Sequence, residues 1–196
     1  MRKIGIATVL LAALVVPSAL HAKGKKDSPG PDKEFLGVDT HKGKYLDQEY
    51  VADGANLSGK TIHVHPFEVK SERPDKEKGD LSWKELPDFL QTAIVENAAD
   101  RSGGSIKLSK TSGSYTLHGQ VTEFRPPSAA ASWGGWIGEA AGSGTIVFDF
   151  KVTDPSGRVV VAGHHKMLAQ ASDSLRRRVD NVTGDELGHF LASAAK

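Results

Sequence analysis

The 196-residue chain contains no cysteine, which removes disulfides, thiolate metal centres, a cysteine nucleophile and any lipid-bearing cysteine together. It also lacks an excess of either charge: 25 Lys and Arg against 24 Asp and Glu leave a formal charge of +1. Nucleic acid is therefore not an expected partner, because binding phosphates by counterion release needs a concentrated basic surface. Long apolar runs are just as scarce. The only one, Ile4 to Val16, falls short of the roughly 20 residues that a bilayer-spanning helix takes.

That run fits a different purpose. Arg2 and Lys3 precede it, Pro17 and Ser18 close it, and Ala22 offers a small residue for cleavage, with Ala19 as the alternative. This is the anatomy of a secretory signal over residues 1–22, and it predicts a periplasmic or secreted protein with no transmembrane helix after processing. Loss of Arg2 and Lys3 would take the formal charge from +1 to −1.

Residues 23–57 read as a flexible leader followed by an irregular extension. The stretch Lys23 to Lys33, KGKKDSPGPDK, has almost no apolar side chain with which to offset its ordering entropy. From Phe35 to Val51 apolar residues are scattered without a period, so this part is expected to wrap the surface of a domain spanning residues 58–196.

Within that domain, Ile62 and Val64 alternate with His63 and His65 until Pro66 and Phe67 break the phase, as in an edge or bulged strand. Ser82 and Glu85 have capping-box spacing, with Leu86 the alternative start because Pro87 sits near it, and Leu86, Phe89, Leu90, Ala93, Ile94, Asn97 and Ala98 recur at helical intervals up to Gly103 and Gly104. Strands are predicted over 105–109, 115–124, 145–153 and 158–168, the last two joined by the turn Asp154-Pro155-Ser156-Gly157. In the third of these, Ile146, Phe148, Phe150 and Val152 point one way, opposite to Thr145, Asp149, Lys151 and Thr153. Thr183 and Glu186 repeat the capping-box spacing ahead of Leu187, Phe190, Leu191 and Ala194, which predicts a short terminal helix. The pattern predicts a single α+β domain, an antiparallel or mixed sheet with helices packed on one face.

A first strand IHVHPFEV, a helix, the segment YTLHGQVTEF, a glycine-rich interruption and then TIVFDFKVTDPSGRVV resemble bacterial envelope proteins related to the curli assembly and transport component. The same pattern runs through uncharacterised exported lipoprotein families. The resemblance covers residues 57 to about 192, and it implies an envelope-associated α+β domain that binds or assembles with other molecules.

Two candidate sites stand out. Between Ser128 and Gly144, Gly134, Gly138 and Gly142 recur every four residues among Trp133, Trp136 and Ile137. Small residues at that spacing admit a second backbone, and tryptophans anchor interfaces, so this segment is a candidate for self-association or envelope contact. A long crossover loop is the plainer reading. Separately, His63 and His65 share one strand face, and His164 and His165 lie in the last strand. Were those strands neighbours, three imidazoles could meet a zinc or copper ion.

Catalytic patterns are weaker. Gly142-Ser143-Gly144 is not a nucleophile elbow, and Asp185 with Glu186 fits a helix start. Arg176 to Arg178 reads as a solvated face. The expectation is therefore a non-enzymatic exported protein without a cofactor, binding a protein or cell-envelope component and compatible with a homo-oligomer. The alternative is a histidine-based metal-binding protein.

Overall fold

The computed structural model describes residues 28–71, 80–126, 144–169 and 174–196. In chain order these form α1 (Lys33–Leu36), β1 (His41–Lys42), β2 (Gln48–Val51), β3 (Thr61–Val64), β4 (Glu68–Val69), α2 (Leu86–Ala93), α3 (Ala99–Arg101), β5 (Lys107–Ser109), β6 (Tyr115–Arg125), β7 (Gly144–Thr153), β8 (Val159–Ala169), α4 (Leu175–Val182) and α5 (Gly188–Ser193). A π turn, Ile94–Ala98, joins α2 to α3, and another, Thr183–Leu187, joins α4 to α5.

The strands make one eight-stranded mixed sheet in the order β1-β2-β8-β7-β6-β3-β5, with β4 also paired to β6. β6, β7 and β8 run antiparallel, whereas β3 and β4 lie parallel to β6. The fold is α+β, as the element pattern predicts.

β7 is central because both its faces are covered. Ile146, Phe148, Phe150 and Val152 are fully buried against the long helices, and Phe150 meets Phe190 of α5 edge-on with ring centroids 5.9 Å apart. Burying each such side chain is worth about 1.5–3 kcal/mol. The opposite face of β7, which also carries Thr145, Lys151 and Thr153, holds Val147 and Asp149 fully buried as well. The short α1 lies over that face, so the helices are not confined to one side.

Ser82 and Glu85 do bond each other, the Ser82 hydroxyl donating to Glu85 Oε2 at 2.9 Å and the Glu85 N–H to Ser82 Oγ at 3.3 Å, but α2 begins at Leu86 with Glu85 as its N-cap and no side-chain cap bond. Gly103 and Gly104 take φ of 61° and 78° and end α3, a conformation that suits glycine.

Two expectations are corrected. Residues 41–51 are not an irregular wrap: β2 pairs with β8 from Gln48↔His164 to Val51↔Val161 and extends the sheet. Its four residues QEYV form a short strand near the sheet margin, too polar and too brief to show a period. The terminal helix starts earlier than Thr183. Ser174 is its N-cap and accepts from the Arg177 N–H at 3.1 Å, while Thr183 is buried mid-helix with its hydroxyl donating to the Val179 carbonyl at 2.9 Å. The Arg176 to Arg178 run hid the Leu175, Val179 and Val182 stripe.

Candidate functional site

The face of the sheet turned away from the long helices holds an unusual set of polar groups. Register places Gln48, His164, Asp149, Gln120 and Glu68 in one row across β2, β8, β7, β6 and β4. At its centre the fully buried Asp149 accepts three hydrogen bonds: from His164 Nδ1 at 2.7 Å, from the Gln120 amide at 3.1 Å and from the Asp32 N–H at 3.2 Å. Gln120 also donates to Asp32 Oδ2 at 2.9 Å. That bond and the Phe35 N–H, with a smaller opposing effect of burial, hold the Asp32 carboxyl below the usual carboxylate range. The network ties α1 to three strands and leaves one buried atom, Gln120 Oε1, without a hydrogen-bond partner.

The next positions on this face carry imidazoles. His63 points from β3, His65 from the residue just past its end, and His118 from the adjacent β6. Ring centroids are 4.2 Å apart for His63 and His65 and 4.5 Å apart for His65 and His118, the latter pair stacked at 13°. Burial, then the neighbouring His63, depresses the basicity of His65; burial, then His65, Lys151 and His63, depresses that of His118 against an opposing effect of Glu68.

The proposed convergence of both histidine pairs does not occur. β6 and β7 stand between β3 and β8, which at the usual strand spacing separates the pairs by about 14 Å. His164 and His165 moreover point to opposite faces, as neighbours on a strand must. His165 lies on the helix side against Phe148, with Asp47 Oδ2 and Glu186 Oε2 each 3.1 Å from one of its ring nitrogens. Neither nitrogen is aligned for a hydrogen bond. Among the described residues, no three His, Asp or Glu side chains are set around a common metal position.

The third feature is an end of the sheet. β6 and β7 pair up to Arg125↔Thr145, so the chain leaves and re-enters the sheet at adjacent positions. Trp133, Gly134, Trp136, Ile137, Gly138 and Gly142 lie between these anchors and outside the described residues, as does the signal segment.

On the helix side, the two π turns meet across a polar groove of about 520 Å³ lined by Asn97, Asp100, Arg101, Asp180, Asn181, Gly184 and Asp185. A β-carbon at Gly188 would stand 2.9 Å from Arg101 Cβ, so glycine there permits the close approach. Arg176, read as solvated, instead bonds Glu85 at 2.9 Å and lies over the Phe89 ring.

Sequence reasoning missed His118, Gln120 and Asp149. All three sit at alternate positions of readable strands, but their alignment depends on strand order, which no local pattern encodes.

No family model matches the chain, and no curated protein matches it. Solved structures share its fold. PelC from Paraburkholderia phytofirmans, solved as a dodecamer, superposes with a TM-score of 0.50 at 12% identity, over 72% of this chain and 94% of that one. Protein XCC0632 from Xanthomonas campestris, described under family-model DUF330, covers 74% of this chain and 86% of that one at 14% identity, with a TM-score of 0.42. At such identities the likeness is one of fold. Among the described residues no helix is long and apolar enough to cross a membrane.

Proposed function

We propose that this chain is an exported, non-enzymatic protein of the bacterial envelope, periplasmic or secreted, that binds a protein or envelope component and assembles as a homo-oligomer through residues 128–144. The observation that carries the reading is the β6–β7 pairing, which holds both ends of the glycine- and tryptophan-rich segment side by side at Arg125 and Thr145. Two tryptophans among small residues suit contact with another surface. The shared fold with PelC, a dodecamer, supports assembly as a use of this architecture. The buried Asp149 group supports a structural role for the polar interior, because its hydrogen bonds join α1 to the sheet. The pattern shared with curli assembly proteins belongs to the same reading.

The test is size-exclusion chromatography with light scattering on the processed protein and on Gly138→Leu. An oligomer that the substitution dissociates supports the proposal. Monomers in both samples reject the assembly.

A further inference from the structure

His65 follows the last residue of β3 and leads into Pro66-Phe67, and its ring centroid lies 4.2 Å from that of His63 and 4.5 Å from that of His118 on β6. The same short stretch is held to β6 by backbone bonds, from the His65 N–H to the Leu117 carbonyl at 3.0 Å and from the Lys70 N–H to the Val121 carbonyl at 2.9 Å. Between these bonds the buried Phe67 ring sits over Gly119. Three imidazoles thus lie ring against ring where the chain passes from β3 to β4.

Neutral rings pack in this way without penalty, whereas imidazolium charges at the same range repel one another. The surroundings add to that repulsion more than they relieve it. His63 Nε2 donates to the Lys110 carbonyl at 3.1 Å, and the Lys110 ammonium is taken up by Thr92. Lys151 of β7 puts a further positive charge beside His118, opposed by Glu68 of β4. Burial, then His63, holds His65 below its ordinary value of 6.5, and burial, then His65, Lys151 and His63, does the same for His118.

We propose that His63, His65 and His118 form an acid-responsive catch, which keeps residues 65–70 seated on β6 while the rings are neutral and loosens them when the rings become charged. The opened segment takes up protons before the seated one. The contribution of the catch is therefore complete above pH 6.5 and is lost as pH falls through the lower folded values. Opening unseats Phe67, so an apolar ring is uncovered only in acid. His165, also held low by burial, lies on the opposite face of the sheet and is common to the proteins compared below. The catch is independent of the glycine-rich segment and of assembly.

Amide hydrogen exchange of the processed protein, corrected for the intrinsic rate, tests this. Between about pH 7 and about pH 5, protection of the His65 and Lys70 amides should fall about tenfold, the factor that one pKa unit represents. His118 is exposed, so His118→Gln leaves the core intact, and in that variant the fall should be smaller. In a nuclear magnetic resonance titration the His65 ring should titrate below 6.5 in the wild type and move upward in His118→Gln. Equal protection at both pH values, the same fall in His118→Gln, or a wild-type His65 ring that titrates at or above 6.5 would overturn the proposal.

Discussion

The Phe67 ring occupies the space that a side chain at Gly119 would need: a β-carbon there would stand 2.2 Å from the ring. The ring also meets Phe148 edge-on at 6.0 Å between centroids. The Pro66-Phe67 interruption between β3 and β4 thus seats an aromatic on β6, and glycine is required for packing. Gly119→Ala should cost about 1–3 kcal/mol of stability, the usual range for overfilling a packed core. Urea unfolding measures this; a midpoint equal to the wild type's would show that Phe67 yields without loss.

Asp149 should be the most sensitive polar position. In Asp149→Ala, His164, Gln120 and the Asp32 N–H all lose their acceptor in a buried setting, and the cost should be about 3–5 kcal/mol. Asp149→Asn retains one acceptor oxygen and should lose less. Because Asp32 caps α1, limited proteolysis of Asp149→Ala should cut between residues 28 and 44 faster than in the wild type. Equal stability of the Ala and Asn variants would contradict the role given to the network.

Much of this architecture was legible in the sequence where one face of an element is apolar and the other is not. Ile146, Phe148, Phe150 and Val152 gave away β7, and the apolar repeat of Leu86, Leu90, Ala93, Ile94 and Ala98 gave away α2 and the turn that follows it. β2 was illegible because QEYV buries no regular stripe of its own; its place comes from pairing with β8. The start of α4 was illegible because three arginines interrupt its apolar stripe and because its strongest cap is distant in sequence. The histidine group was half legible: H-x-H showed that His63 and His65 share a face, but only strand order selects His118 as their neighbour over His164.

That distant cap gives a pH prediction. Asp80 accepts from the Ser174 hydroxyl and from the N–H groups of Leu175 and Arg176, at the amino end of α4. Burial pushes the carboxyl up, but these hydrogen bonds outweigh it and hold Asp80 below its ordinary value of 3.8. The unfolded chain therefore takes up this proton first. The stabilisation is complete above pH 3.8 and is lost as pH falls through the lower folded value. Asp80→Ala should cost about 1 kcal/mol at neutral pH, as loss of a helix cap does. Below pH 3.8 the gap between the two proteins in thermal midpoint should narrow. A gap that is constant down to the acid limit would mean that the charge of Asp80 contributes nothing.

The packing of the two π turns predicts a further sensitivity. Gly188→Ala places a β-carbon 2.9 Å from Arg101 Cβ and 3.2 Å from the Ala98 backbone, so the helices must separate. A loss of about 1–3 kcal/mol is expected on thermal unfolding. Wild-type stability would show that the turns slide apart freely.

Sedimentation velocity decides most directly whether the β6–β7 end of the sheet is an assembly surface. The full-length processed chain should be compared with one in which residues 128–142 are replaced by a glycine-serine linker of equal length. An oligomer is expected for the former and a monomer with an unchanged circular dichroism spectrum for the latter. An oligomer of the same mass in both, or a monomer in both across the concentration range, would contradict this.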